Sequence, residues 1–182
     1  MLYFVRHGQT NHNLNKLLAG RCDIDLNETG IKQAKETSKK AKDLKIDLIL
    51  CSPLKRAKQT CLIINKEHNA PIVIKEELLE RDFGIYESKD YSCIEGDKAW
   101  NYYLDAYAGE METIKEVFER VYKLLDEIEE KYSNKNILIV AHNDIGRAIH
   151  CYFNKIPNDG DVRCFGVQNS QILEYEWKKM IK

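Results

Sequence analysis

The sequence predicts an α/β protein with three layers, in which helices cover both faces of a mainly parallel central sheet. Short, continuous apolar segments such as Leu48–Cys51 and Ile137–Ala141 have the length and composition of strands that are buried on both faces. Amphipathic segments of helical period lie between the strands, and this alternation is typical of parallel sheets connected by helices. The chain has 182 residues and no internal repeat or linker-like segment, so we expect one domain over residues 1–182.

Predicted strands and helices alternate in the first half of the chain. Leu2–Arg6 is the first predicted strand, and after a loop a helix begins near residues 27–29. Leu48–Cys51 is the second strand. Ser52 and Pro53 then predict the start of another helix, because a hydroxyl group caps free N–H groups and proline fits the first helical position. The expected inward positions of these helices are Ile31, Ala34, Ser38 and Ala41, and then Leu54, Ala57, Cys61 and Ile64.

The middle of the chain carries an aromatic-rich insert at about 84–110. The insert follows a predicted strand at 71–74, and its pattern is irregular apart from a short helix expected at about 100–107. Two interpretations of its aromatic side chains stay open: they overhang a pocket and select an organic group by stacking, or they pack the insert onto the body of the protein. These side chains are Tyr86, Tyr91, Trp100, Tyr102, Tyr103 and Tyr107.

The last part of the chain predicts two helices and two strands. A long helix spans about 112–132, and Ile137–Ala141 is the clearest buried strand. A helix at about 144–153 follows, and residues 171–177 are expected to form a strand at the sheet edge, in the antiparallel direction. The predicted buried face of the long helix consists of Ile114, Val117, Phe118, Val121, Leu124, Leu125 and Ile128.

The composition argues against several classes of function. The formal net charge is −1, from 28 Lys and Arg against 29 Asp and Glu, so the chain lacks the overall basic field that nucleic-acid binding uses. No apolar run approaches the roughly 20 residues of a membrane helix. The six cysteines lack a Cys-x-x-Cys spacing, and the first residues do not have the pattern of a signal peptide. We therefore expect a cytoplasmic protein without a nucleic-acid or membrane partner; the oligomeric state stays open.

Chemically active side chains follow several of the predicted strands at the point where each strand ends. Arg6 and His7 end the first strand, and Arg56 lies one turn into the helix after the second strand. Glu80 follows the third strand, and His142 directly follows the strand Ile137–Ala141. Because open α/β sheets bind ligands beyond the carboxyl ends of their strands, we expect these groups to meet at one edge. This set predicts a site for an anionic substrate with acid and base capacity.

The chemistry of these side chains suits a phosphate ester. Guanidinium groups match the charged oxygens of a phosphoryl group, and a neutral imidazole is a competent nucleophile toward phosphorus. We expect Arg6, Arg56 and a protonated His142 to lower the pKa of His7 and keep it neutral. A carboxylic acid near the third strand would protonate the leaving oxygen. Position alone does not choose among the carboxylates there, which are Glu76, Glu77, Glu80, Asp82 and Glu87.

The chain resembles the histidine phosphatase superfamily, which includes the cofactor-dependent phosphoglycerate mutases and many small phosphatases. The resemblance begins with the string LYFVRHGQTNHN and continues, in order, with CSPLKRAKQT, LLERDFGIYE, Glu112-Thr113 with Arg120, VAHND and VQNS. It covers nearly the whole chain and implies a phosphoglycerate mutase-like fold.

The resemblance implies a role for each matching residue. His7 corresponds to the phosphorylated nucleophile and Glu80 to the proton donor. The groups that would hold the phosphoryl oxygens are Arg6, Arg56 and His142, with Asn13 as a further polar ligand. The positions expected next to the substrate are Gly20, Arg21 and Asn143. The resemblance implies neither a metal nor a cofactor, since the arginines and His142 supply the positive charge.

These roles predict a metal-independent phosphatase that hydrolyses small-molecule phosphate monoesters through a phosphohistidine. The alternatives are a phosphoglycerate mutase, whose family members carry a larger insertion over the site, and a non-catalytic module that binds phosphate or protein. The chain departs from the family where Asn143 and Asp144 follow His142, since small residues are usual there. We expect Asp144 to turn away from the anion site and cap the following helix.

Overall fold

Five strands form one sheet in the computed structural model, which describes residues 1–177. The strands are β1 (Leu2–Arg6), β2 (Leu48–Cys51), β3 (Ile72–Ile74), β4 (Ile137–Ala141) and β5 (Ile172–Tyr175). Their order across the sheet is β3-β2-β4-β1-β5. The first four are parallel, and β5 pairs with β1 in the antiparallel direction, as expected for the edge strand.

Helices cover both faces of this sheet. They are α1 (Asn11–Leu14), α2 (Glu28–Ala41), α3 (Lys55–Asn65), α4 (Gly96–Ala99), α5 (Ile114–Tyr132) and α6 (Asn143–Asn154). Helices α2 and α3 pack together on one face, and α5 and α6 pack together on the other. The predicted three-layer α/β fold is confirmed.

The central strand β4 shows why its sequence is apolar throughout. Ile137, Ile139 and Ala141 belong to the core on the side of α5 and α6, whereas Leu138 and Val140 belong to the core on the side of α2 and α3. All five side chains are at most 2 % exposed. A strand buried on both faces has no solvent-facing position, so polar residues appear where it ends.

Helix α5 begins with a capping box. The Thr113 hydroxyl accepts from the backbone N–H of Glu116, and the Glu116 carboxylate accepts from the backbone N–H of Thr113 at 2.7 Å. All seven apolar residues of the predicted stripe are buried, which confirms the predicted face. Within residues 1–177, no helix is both long and apolar enough to cross a membrane.

The predicted start of α3 is wrong. The helix begins at Lys55 with Leu54 at the N-cap position. Leu54 has no side chain that could cap the helix, and the Asp23 carboxylate accepts from the backbone N–H of Lys55 at 2.8 Å instead. The Ser52 hydroxyl lies 2.7 Å from Nε2 of His142 and accepts from the backbone N–H of Leu54 at 3.4 Å, so it connects the end of β4 to the residue before the helix. Ile31 also departs from the predicted inward face of α2, because it is 38 % exposed.

The insert folds differently from the prediction. The expected helix at 100–107 is absent from the described residues; the short helix α4 ends at Ala99, and the chain then turns. Asn101 forms a β-bridge with Asp161, and its carboxamide oxygen accepts from the backbone N–H of Tyr103. These contacts hold the backbone in turns where a helix was expected. The one-turn helix α1 lies inside the predicted loop, because a capping box between Thr10 and Asn13 stabilises it.

We predict that Ile139→Ala lowers the free energy of unfolding by about 2–5 kcal/mol, because it removes a fully buried side chain from the central strand and leaves a cavity. Urea denaturation monitored by circular dichroism measures this change. Leu62→Ala on α3 is the control, since Leu62 is 58 % exposed, and it should change the free energy by less than about 1 kcal/mol. Equal losses in the two variants would contradict the assignment of β4 to the core.

Candidate active site

The carboxyl ends of β1, β4 and β2 meet at one edge of the sheet. Arg6 pairs with Ala141 in the parallel register, so His7 and His142 leave the two strands side by side. The backbone N–H of His7 donates to the carbonyl of Ala141 at 3.0 Å, and the two imidazole rings lie 5.1 Å apart, centroid to centroid. The predicted convergence of the two histidines is found.

The surroundings of His7 define its tautomer. Nδ1 lies 2.7 Å from the carbonyl oxygen of Gly8, to which it donates, and Arg56 Nε donates to Nε2 at 3.2 Å. Nε2 therefore carries the lone pair of a neutral imidazole. Burial lowers the pKa of His7 well below its usual value, and Arg56 and Arg6 lower it further, whereas the hydrogen bond to Gly8 opposes the shift.

Arg56 holds the site together from the first turn of α3, as predicted. It is fully buried, and its two terminal nitrogens donate to the carbonyls of Gly20 and Cys22, each at 2.7 Å. Gly20 has φ of +45°, and a Cβ there would lie 2.2 Å from a carboxylate oxygen of Glu87. Since the loop needs glycine at this position, Arg56 binds main-chain atoms whose conformation is fixed.

Arg6 and His142 retain unused hydrogen-bonding capacity. Nη1 of Arg6 donates to the Val167 carbonyl at 2.5 Å, and its Nε is buried without a partner among residues 1–177. The Ser52 hydroxyl accepts from the backbone N–H of Leu54 and bonds Nε2 of His142, while Nδ1 of His142 has no partner in the same range.

The expectation of a protonated His142 is wrong. Burial lowers its pKa well below the usual value, and the guanidinium charges of Arg56 and Arg6 and the adjacent His7 ring add to this shift. Two adjacent imidazoles that are both withdrawn from water beside guanidinium groups cannot readily take up a proton. His142 is therefore a neutral hydrogen-bonding group.

The carboxyl group of Glu80 lies at the N-terminus of α6, which is far from Glu80 in sequence. This carboxyl accepts from the backbone N–H groups of Arg81 and Asp144 at 3.1 and 3.2 Å, and from that of Asn143 at 3.0 Å. Burial raises the pKa of Glu80 to about 7; Asp144 also raises it, while Arg56 acts in the opposite direction. A carboxyl with this pKa exchanges protons near neutral pH, which suits an acid or base catalyst.

Arg120 on α5 holds the loop that carries Glu80. Its Nη1 donates to the carbonyls of Glu77 and Leu79 at 2.7 and 2.9 Å, and its Nε pairs with the Glu112 carboxylate at 2.7 Å. Glu112 and Arg120 belong to the motif that carries the resemblance, but the sequence did not assign them a role.

The structure also distinguishes Glu80 from the other carboxylates near it in sequence. Glu80 is buried, whereas the Asp82 side chain is 40 % exposed and pairs with Arg21.

Most of the predicted site residues line one cavity of about 30 Å³. They are Arg6, His7, Asn13, Gly20, Arg56, Glu80 and Asn143. His142 contacts the His7 ring, as described above. Among residues 1–177, no group of three or more His, Cys, Asp or Glu side chains is arranged to hold a metal ion.

Asn13 and Asn169 complete the polar wall beside His7. Asn169 Nδ2 donates to the His7 carbonyl at 2.9 Å and to the Asn13 carboxamide oxygen at 3.3 Å. That oxygen also accepts from the backbone N–H of Thr10. Because the carboxamide oxygen of Asn13 already accepts these hydrogen bonds, its amide nitrogen is the group that can donate to a ligand. Asn169 received no role from the sequence, although it lies in the quoted string VQNS.

The aromatic side chains of the insert divide between the cavity and the core. Tyr91 and Trp100 line the cavity, together with Phe83, which the sequence did not single out. Tyr102 instead packs on Phe118 of α5, with ring centroids 5.4 Å apart. The cavity mouth is thus aromatic on one side, and the rest of the insert is attached through the core.

Arg21 does not reach the cavity. Its guanidinium pairs with Asp82 at 3.3 Å and lies 3.6 Å from Glu112, so the two carboxylates draw it into a separate surface groove. The structure therefore does not bring Arg21 together with the other predicted site residues.

Asp144 also differs from the prediction. It lines the cavity and does not cap α6, whose N-cap residue is His142. Its carboxylate accepts from Trp100 Nε1 at 2.9 Å and pairs with Arg147. An indole and a guanidinium therefore hold this carboxylate within the site.

Comparisons with known proteins place the chain in a family. The family model of the histidine phosphatase superfamily (branch 1) matches residues 2–180. An uncharacterised phosphatase of Bacillus subtilis, PhoE, is 41 % identical over 180 residues, which cover 96 % of this chain and 89 % of the relative. A probable phosphoglycerate mutase of Cronobacter sakazakii, GpmB, is 30 % identical and covers 85 % of this chain and 74 % of its own.

A solved structure shares the fold. The α-ribazole phosphatase of Shigella flexneri superposes with a TM-score of 0.78 at 27 % identity, covering 94 % of this chain and 87 % of its own.

The buried titratable groups predict a characteristic dependence of stability on pH. His7 and His142 have lowered pKa values, so the unfolded chain binds two more protons below about 6.5, and stability is lost as the pH falls. Glu80 acts oppositely: its pKa rises from 4.5 to about 7, so its contribution is lost as the pH rises through this window. Glu80→Gln should therefore steepen the loss between pH 6.5 and 5 by about 1.4 kcal/mol per pH unit.

Urea denaturation at half-unit pH intervals measures this slope, and Glu76→Gln, which removes an exposed carboxyl, is the control. Parallel slopes for the wild type and Glu80→Gln would show that Glu80 titrates normally.

Proposed function

This chain belongs to the histidine phosphatase superfamily, and we propose that it hydrolyses small-molecule phosphate monoesters through a phosphohistidine on His7. One observation carries the proposal: the His7 imidazole is neutral, and its Nε2 lies against a buried guanidinium beside an acid whose pKa is about 7. A nucleophile, an anion-binding group and a proton donor thus line one cavity.

In the first half-reaction, His7 Nε2 attacks phosphorus as the bond to the ester oxygen breaks. The leaving oxygen takes the proton of Glu80 and departs as an alcohol. Arg6 and Arg56 bind the phosphoryl oxygens, and Arg56 Nε exchanges its hydrogen bond to Nε2 for one to an oxygen as the lone pair is used. Neutral His142 donates a further hydrogen bond from its unpartnered Nδ1.

In the second half-reaction, water attacks phosphorus and the P–N bond breaks. The Glu80 carboxylate accepts a proton from that water, and the electron pair of the broken bond returns to His7 Nε2. Inorganic phosphate leaves, and both His7 and Glu80 regain their starting protonation states. The guanidinium groups supply the positive charge for both transition states, so we propose that catalysis needs neither a metal nor a cofactor.

The insert favours hydrolysis over phosphoglycerate mutase activity. About 30 residues separate Glu80 from Glu112. This segment contains the short helix α4 and two short 3₁₀ turns, Gly84–Tyr86 and Tyr91–Cys93. A mutase must shield its phosphoenzyme from water while the substrate turns over. This small insert provides little material to close the cavity, and the side chains of Ile85, Tyr103 and Leu104 remain exposed.

We also propose that the protein acts in the cytoplasm on small phosphate esters, without a nucleic-acid or membrane partner. All six cysteines are free thiols, although Cys93 and Cys164 are exposed to solvent. Exposed free thiols fit a reducing compartment. The net charge of −1 likewise supports a small-molecule substrate that is attracted by a local cationic pocket.

We predict that His7→Ala abolishes both phosphate release and the acid-labile phosphoenzyme, because no other lone pair replaces Nε2. Release of inorganic phosphate from a panel of metabolite phosphates, without added 2,3-bisphosphoglycerate, measures turnover, and rapid quench with labelled substrate measures the phosphoenzyme. His68→Ala, on the turn after α3, is the matched control and should retain activity.

Three results would contradict this function. Retained turnover in His7→Ala would place the nucleophile elsewhere. Dependence on 2,3-bisphosphoglycerate, with interconversion of 2- and 3-phosphoglycerate, would identify a mutase. Tight binding of vanadate without turnover of any ester would identify a binding module.

We predict that Glu80→Gln slows substrates with poor leaving groups by about 10²–10⁴-fold, because the departing alkoxide then lacks its proton. p-Nitrophenyl phosphate should lose much less in phosphoenzyme formation, since its leaving oxygen hardly needs protonation. Single-turnover kinetics with an alkyl phosphate and with p-nitrophenyl phosphate measure this contrast, and Glu76→Gln is the control. Equal losses on both substrates would remove Glu80 from the role of acid.

A further inference from the structure

The Asp144 carboxylate is buried in the site, and the mechanism above does not use it. The residue is 2 % exposed and lines the same cavity as Glu80. Its Oδ1 accepts from Trp100 Nε1 at 2.9 Å and from Arg147 Nη1 at 2.5 Å. Its Oδ2 is buried without a hydrogen-bond partner among residues 1–177. The carboxylate therefore has one oxygen paired with Arg147 and Trp100 and one oxygen that remains uncompensated.

The immediate surroundings of Glu80 conflict with the role of a proton donor. A general acid must hold its proton until the leaving oxygen takes it. The Glu80 carboxyl, however, accepts three backbone N–H groups at the N-terminus of α6, and these donors stabilise a carboxylate. Arg6 and Arg56 act in the same direction. These contacts alone would leave Glu80 ionised at neutral pH.

The other charged groups around Glu80 do not resolve this conflict. Arg120 from α5 lies 3.4 Å from the Glu80 carbonyl, and Arg81 is the next residue in the chain. Arg147 from α6 carries a further positive charge, while Tyr91 from the insert remains a neutral phenol, because burial raises its pKa. His7 and His142 are neutral, as described above. Asp144 supplies negative charge within this mainly cationic group.

We propose that Asp144 is a positioning residue that keeps the proton on the Glu80 carboxyl. Its backbone N–H contacts Glu80 Oε1 at 3.2 Å, which shows that the two residues adjoin each other in the cavity. Although this N–H favours an ionised Glu80, the negative charge of the Asp144 carboxylate opposes a second carboxylate in the same buried site. Trp100 and Arg147 position Asp144 in turn, so the aromatic wall of the cavity is coupled to the acid. This inference rests on the proposed function, in which Glu80 is the proton donor.

The direction of the Glu80 shift agrees with this role. Burial raises the pKa of Glu80 to about 7, and Asp144 is the next contributor in the same direction. Near this value the protonated form serves the first half-reaction, and the ionised form left by proton transfer serves the second.

The test compares the wild type with Asp144→Asn, which keeps the shape and an oxygen acceptor for Trp100 but removes the charge. The basic limb of the kcat–pH profile for an alkyl phosphate should move down by about one pH unit or more, because Glu80 loses its proton more easily. Single-turnover phosphoenzyme formation from p-nitrophenyl phosphate should change little over the same range. Asp43→Asn is the control, since it removes the same charge from an exposed position.

A second measurement does not depend on turnover or on the folding of Asp144→Asn. In the wild-type protein, ¹³C NMR of the Glu80 carboxyl, assigned by its loss in Glu80→Gln, should titrate near pH 7. An unchanged basic limb in folded Asp144→Asn, or wild-type Glu80 titrating near its usual value of 4.5, would overturn the proposal. Titration of wild-type Glu80 near pH 7, together with the absence of a phosphoenzyme, would instead reject the proposed function and leave the coupling between Asp144 and Glu80 intact.

Discussion

A buried guanidinium that donates to an uncharged imidazole is the interaction on which the site depends. Arg56 donates from one nitrogen to His7 and from its other two nitrogens to the Gly20 and Cys22 carbonyls. One guanidinium on helix α3 therefore connects the residue after strand β1 with the loop at 20–22. The positive charge draws an anion into the cavity and at the same time prevents protonation of the nucleophile. Burial makes both effects large, because little water is present to screen the charge.

Much of the architecture follows from local sequence. Strands such as β4 contain no polar residue, and helix α5 has a capping residue and a complete apolar stripe, so element type and packing face are both determined locally. The site was predictable for a related reason. In a parallel sheet the strands end at a common edge, and the residues that follow β1 and β4 meet there, at the position where open α/β sheets bind ligands.

The errors arise where a long-range contact replaces a local preference. Ser52 is a good helix cap in isolation, but the imidazole of His142, ninety positions away, uses its hydroxyl. Arg21 adjoins Gly20 in sequence, yet Asp82 and Glu112 direct its side chain to another surface. The predicted charge state of His142 was wrong because burial lowers its pKa and the neighbouring guanidinium groups add to that shift, and burial is a property of the assembled fold.

The loop at 20–22 meets Arg56 through carbonyl oxygens and not through side chains. Gly20 is restricted by its backbone conformation, whereas the thiol of Cys22 contacts Glu87 and Ser88 and is not the atom that Arg56 binds. Exchanging the side chain at position 22 therefore removes no hydrogen bond from the guanidinium, whereas a side chain at position 20 would strain the main chain that supplies one of its two acceptors.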